Sequence, residues 1–207
     1  MKKITSIPRF HLFLLAAVLL IGLWSVISPH DLFTWFLETF PAFIGLAAMA
    51  VTYRRFPLTN LAYFLIAVHC AILFVGGHYT YAEVPPFNWI RDNFHLARND
   101  YDRVGHFWQG FGPAIVAREV IIRNSPLKKG KWLSFLVFCF CLALSAAYEL
   151  LEWRVAVGTG SAADAFLGTQ GDPWDTQEDM ATACVGAISA LLLLPKIHDR
   201  QMKSLPK

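Results

Sequence analysis

Six apolar runs cross the chain, each about as long as a membrane is thick, and they predict helices over 10–28, 32–53, 58–77, 102–122, 132–153 and 176–195. A hydrocarbon core of about 30 Å takes about 20 helical residues at 1.5 Å each. The runs lack the alternation of a half-buried strand and the broad polar stripe of a soluble amphipathic helix. The reading is all-α: a polytopic membrane protein of six transmembrane helices, forming a single transmembrane helical domain over 1–207.

The polar positions are as patterned as the apolar ones. Asp102 and His106 open the fourth run, Glu149 and Glu152 close the fifth, and Asp175 and Asp179 open the sixth. Each pair has the three- or four-residue spacing that puts side chains on one helical face. Gln109 lies one turn beyond His106. The first two runs are nearly free of charge. Glu38 and Pro41 in the second are read as scaffold, Pro41 as a kink. Ionisable groups within a bilayer are costly and mark functional sites by default.

Composition agrees: 56% of residues are hydrophobic and 16% charged, which excludes an ordinary soluble domain. Basic residues set the orientation. Lys2, Lys3 and Arg9 precede the first run, Arg54 and Arg55 follow the second, Arg123, Lys128, Lys129 and Lys131 follow the fourth, and Lys196, Arg200, Lys203 and Lys207 follow the sixth. Every second connection is basic, so both termini are expected in the cytoplasm. The net charge of +3 reflects that bias and anchoring on anionic lipid, not nucleic-acid binding. The first run exceeds a signal-peptide core and no small-residue cleavage site follows it, so it is read as a retained anchor. Trp24, Trp35, Trp89, Trp153 and Trp174 fall near the outer boundary and Trp132 near the inner one, as interfacial anchors do. Cys70, Cys139, Cys141 and Cys184 lie within the runs, with no Cys-x-x-Cys, and read as small apolar fillers.

With this topology all three acidic pairs lie on the outer side. Five carboxylates and an imidazole brought together cannot all stay ionised without protons, arginines or a metal ion among them. Arg103 and Arg154 are candidate counter-charges. A divalent metal is the other solution: oxygen-rich ligands with a histidine suit Zn, Mn, Mg or Ca. The candidate ligands are Asp102, His106, Glu149, Glu152, Asp175 and Asp179, with His78 at the outer end of the third run after Gly76 and Gly77. Asp102, His106, Glu149 and Asp179 are the candidate catalytic groups. Dipole-favoured helix N-termini and inter-helix ion pairs are the plain structural explanation for the same residues.

His69, in mid-run, is read as a neutral histidine bonded to a neighbouring helix. Arg118 and Glu119 are read as a snorkelling local pair. The segment from Ala82 to Tyr101 mixes Pro, aromatic and charged residues and predicts a piece of chain lying on the outer surface, suited to cover a site.

The strings Asn-Asp-Tyr-Asp-Arg-Val-Gly-His-Phe at 99–107, Tyr-Glu-Leu-Leu-Glu-Trp at 148–153 and Gly-Asp-Pro-Trp-Asp-Thr-Gln-Glu-Asp-Met at 171–180 together resemble the YjdF family of bacterial inner-membrane proteins. That resemblance covers nearly the whole chain and implies an inner-membrane location rather than a particular reaction. The motif order also resembles VanZ-like membrane proteins, a group linked to glycopeptide-antibiotic tolerance. Their pattern falls on Asp102, Arg103, His106, Glu149, Asp179 and Gly186, departing from it at Glu152 and Ala183. Three functional readings follow. One is a metal-binding membrane protein whose partners are membrane lipid and a lipid-linked or cell-envelope substrate. Another is a small proton- or ion-coupled transporter using the carboxylates as a relay. The third is a structural or partner-binding protein in which the charges glue helices together.

Overall fold

The computed structural model describes residues 7–160 and 164–205, and every regular element among them is helical. The long helices are α1 (Arg9–Ser25), α2 (Leu32–Thr52) and α3 (Asn60–Tyr79), then, after a 3-10 turn at Tyr81–Glu83 and the short α4 (Pro85–Phe94), α5 (Tyr101–Asn124) and α6 (Lys131–Thr159). The four-residue α7 (Asp164–Leu167) leads to α8 (Asp175–Leu193) and the terminal α9 (Pro195–Met202). Each apolar run of the sequence forms one long helix. Three of them, α2, α3 and α6, are long and apolar enough to cross a membrane, and a fourth span forms if α8 and α9, bent by 61° at Pro195, are taken as one. α5 is not apolar enough along its length and α1, with 17 residues, is too short to qualify by the same measure.

Capping explains several boundaries. Asp31 accepts the Thr34 N–H at 2.7 Å to start α2, and Thr59 caps α3 through Ala62 N–H at 3.3 Å. Pro85 and Pro195 open α4 and α9, where a missing N–H costs nothing. α4 ends on His95 in the left-handed conformation.

Small residues bring α5 and α8 into backbone contact. A Cβ added at Gly110 would collide with the Ala183 carbonyl, and one at Gly186 with the Phe107 carbonyl. Ala183, Ala187 and Ala190 on α8 and Ala114 on α5 are fully buried. Within a membrane, where lipid is as apolar as leucine, such close approach and the dispersion it yields drive helix association. The second half of the fold therefore centres on the α5–α8 pair, with α6 against both. On the other side α3 packs between α5 and the α1 and α2 helices. Gly77 lets Thr39 of α2 come close, and Tyr81 drives its ring between Gly76 and Gly105. The outward faces remain apolar and exposed, among them Leu20, Val51, Leu150 and Leu192, as lipid contact requires.

Candidate functional site

The α5–α8 contact sets two helix beginnings side by side. Asp102 and His106 face Asp179 one layer above Gly110 and Gly186, and α6 adds Glu149. The His106 Nε2 atom is 3.4 Å from Asp102 Oδ1 and 3.7 Å from Asp179 Oδ2, while Nδ1 is 3.0 Å from Gln109 Oε1 and 3.7 Å from Glu149 Oε1. All four ionisable residues are buried. If Nδ1–H donates to Gln109, the Nε2 lone pair is left facing the two aspartates, the arrangement that orients a ligand histidine.

Asp102, His106 and Asp179 each offer a ligand atom, and the three atoms lie within 4.8 Å of one another. Ligands bound at about 2.0–2.2 Å lie at most about 4.4 Å apart, so a small inward movement would close the trio on an ion. The donor set of two carboxylates and an imidazole fits Mn or Zn best among the metals the sequence allows.

Two arginines flank the trio. Arg98 bonds Asp175 and reaches Asp102 Oδ2 at 3.5 Å and the Gly168 carbonyl at 3.3 Å. Arg103 bonds Asp179 through Oδ1, Asp175 Oδ1 at 3.2 Å, and Glu178 at 2.8 Å. Asp102 and Asp179 are thus divided, one oxygen toward an arginine and the other toward His106. Counting Asp100 and Asp172, six carboxylates face two guanidiniums. Glu149 adds a seventh, and its Oε1 has no hydrogen-bond partner among the described residues. The site holds more acid than base, so it calls for shared protons or a cation.

Beside the trio lies a cavity of about 100 Å³ whose polar lining includes Glu38, Asp102 and Glu152 with His69, His106, Gln109, Tyr81 and Tyr148. Phe166 and Gly168 of the chain around α7 form part of its wall. At Gly168, φ is +60° and an added Cβ would lie 3.7 Å from Asp102 Oδ2, so this segment approaches the trio in a conformation that favours glycine.

The structure sorts the residues singled out in the sequence. Asp102, His106, Glu149 and Asp179 come together. Asp175 joins them through the arginines, while Glu152, three residues from Glu149, lines the cavity instead. His78 stands apart: its Nδ1 atom meets the Ser25 carbonyl at 3.1 Å and its ring lies 4.3 Å from that of Trp24. Arg154 is exposed, and Arg98 from the loop takes the counter-charge place expected of it. Glu38 is not plain scaffold. It is 3% exposed, lines the cavity, and has an Oε2 atom without a hydrogen-bond partner. A lone carboxylate in an apolar run gives no periodic signal, so only the packing of α2 against its neighbours discloses it. His69 likewise lines the cavity.

Arg118 and Glu119 also depart from expectation. Both are buried, in a second cluster near the other end of α5. Glu119 accepts Thr59 Oγ1–H at 2.8 Å, Arg123 at 2.8 Å and His198 Nε2–H at 3.0 Å. The Arg118 guanidinium can only donate to His198 Nδ1, at 2.8 Å, which fixes the proton on Nε2. Asp199 Oδ1 is ion-paired with Arg118 at 2.8 Å and Lys129 at 3.0 Å. The Thr59 cap and the α9 bend bring these partners together, and neither was visible as a partner in the sequence.

A family model described as "Predicted membrane protein (DUF2238)" matches residues 10–200, almost all of the described fold. The chain belongs to this family. It is also 48% identical over 184 residues to "Inner membrane protein YjdF" of Escherichia coli (strain K12), a match covering 89% of this chain and 88% of that relative. It is an integral inner-membrane protein. No solved structure matches it.

Proposed function

We propose that this inner-membrane protein crosses the bilayer six times with both termini in the cytoplasm, and carries at its outer side a divalent-cation site that acts on a lipid-linked or cell-envelope substrate. The observation that carries the reading is the convergence of Asp102, His106 and Asp179 from two helices held in backbone contact, in a site with surplus negative charge. The orientation follows from the basic residues. Arg123, Lys129 and Arg200 gather around the Asn124 end of α5, which the positive-inside rule puts in the cytoplasm, and the trio lies at the opposite end.

Asp102, His106 and Asp179 would hold the ion, with Gln109 orienting the imidazole and Arg103 steadying Asp179. Mn or Zn bound there supplies Lewis acidity toward a phosphate or carbonyl oxygen. Glu149, beside His106 and lacking a partner for Oε1, is placed to take a proton. Arg98 and Arg103 prevent the carboxylates from repelling one another while the site is open. The likeness of motif order to VanZ-like proteins agrees with an envelope substrate and rests on the sequence alone.

Elemental analysis of the purified full chain, with Asp102→Ala, His106→Ala and Asp179→Ala beside it, tests the reading. About one Mn or Zn per chain, lost in all three folded variants, is the expected result. A metal-free wild type that takes up neither ion on titration would leave the cluster as helix glue, and ion flux in reconstituted vesicles would move the assignment to transport.

A further inference from the structure

The cavity next to the trio has a chemistry of its own. Its carboxylates are Glu38, Asp102 and Glu152, and among the described residues no arginine or lysine lines it. Glu38 is buried, on a different helix from every residue of the trio, with Oε2 bonded to nothing. A buried carboxylate with an unused oxygen costs stability unless something binds it. Leu73, Leu144, Phe166 and the rings of Tyr81 and Tyr148 make the apolar part of the wall, and His69, His106 and Gln109 complete its polar part.

A hydrated metal ion gains little from such walls, and an anion is repelled. An alkylammonium group suits them: its charge meets Glu38 and Glu152, its methylenes the aliphatic side chains, and the tyrosine rings add cation–π attraction. Size limits the choice. An engineered apolar cavity of about 150 Å³ admits benzene, so a chamber of about 100 Å³ takes a group of only a few heavy atoms.

We propose that this chamber binds a small primary ammonium group through Glu38 and Glu152. The group is either that of a free amine or the amine end of an ethanolamine lipid headgroup. The inference goes beyond the cation reading of the trio and does not need it.

Calorimetric titration of the full chain in phosphatidylcholine nanodiscs with ethylammonium chloride tests this, against tetraethylammonium at equal ionic strength. Saturable binding of ethylammonium but not of the bulkier ion is expected. Glu38→Gln should weaken it about tenfold or more, as removal of a buried charge partner does. Glu152→Gln should weaken it too and serves if the first variant fails to fold. Metal content is read separately, by elemental analysis of the same preparations, so the metal reading can fail while this one stands. In phosphatidylethanolamine nanodiscs a weakened apparent affinity identifies the headgroup as the source, and an unchanged one identifies a free amine. No saturable binding by the wild type, equal binding of tetraethylammonium, or undiminished binding by the folded glutamine variants would overturn the proposal.

Discussion

Near the Asn124 end of α5 the buried charges are matched: Glu119 is met by Thr59, Arg123 and His198, and Arg118 by His198 and Asp199. Near the Tyr101 end six carboxylates crowd two arginines, Glu149 leaves one oxygen unbonded, and Glu38 faces a cavity. The two clusters share a helix and a solvent, so the bilayer alone does not explain the difference. A charge-balanced network fixes α3, α5 and α9 relative to one another. The acid-rich one leaves charge unbalanced at the expense of stability. Burial of charge by itself therefore distinguishes nothing in this protein, whereas the balance of acid against base does.

The largest expected effect falls on the matched cluster. Glu119→Ala leaves Arg123, His198 and Thr59 without their acceptor and should cost about 3–5 kcal/mol. Asp102→Asn, by contrast, should leave the metal-free protein within about 1 kcal/mol of wild type, because it also relieves like-charge repulsion. Thermal unfolding in detergent compares them, and an equal loss in both variants would erase the distinction drawn here. Next comes ligand stabilisation: Mn or Zn at about 100 times its Kd should stabilise the wild type by about 2.7 kcal/mol. That gain should vanish in Asp179→Asn, where the matched cluster is untouched.

Gly186→Ala acts between the clusters. Its Cβ would meet the Phe107 backbone, which cannot swing aside as a side chain can, so a loss of about 1–3 kcal/mol is expected together with weakened metal uptake. Normal uptake by that variant would show that the trio does not depend on the helix contact. The smallest effect belongs to Asp31, remote from both clusters. The Thr34 N–H holds its carboxyl below the ordinary value. The stabilisation is thus fully present above the unfolded-state pKa and is lost as pH falls through the depressed folded one. Asp31→Ala should cost about 0.5–1 kcal/mol at neutral pH, given the exposure of the cap, and nothing at strongly acidic pH, as unfolding at the two extremes would read out.

Sequence periodicity reached the trio because each member has a near neighbour on its own helix face: Asp102 with His106, Asp175 with Asp179. It did not reach partners whose position depends on how helices meet sideways. Glu38 is one. Arg98 is another, since a loop residue has no face until the loop folds. Arg154 misled for a related reason. α6 runs on to Thr159, six residues past the expected end at 153, and at about 100° per residue Arg154 lies about 140° around the helix from Glu149. The six long helices were legible within a few residues, α6 excepted, because a membrane imposes length and apolarity on each segment separately. His198 was opaque because the turn at Pro195 that carries it inward is a property of two helices and not of one.

The interlock of Gly110 with Ala183 and of Gly186 with Phe107 works as a register pin. A register shift of a single residue, a screw motion of about 1.5 Å and about 100°, would carry Asp179 away from His106 and dissolve the trio without altering any of its members. Substitutions at Gly110 or Gly186, chemically blank in themselves, should therefore disturb the trio from a full helical turn or more away.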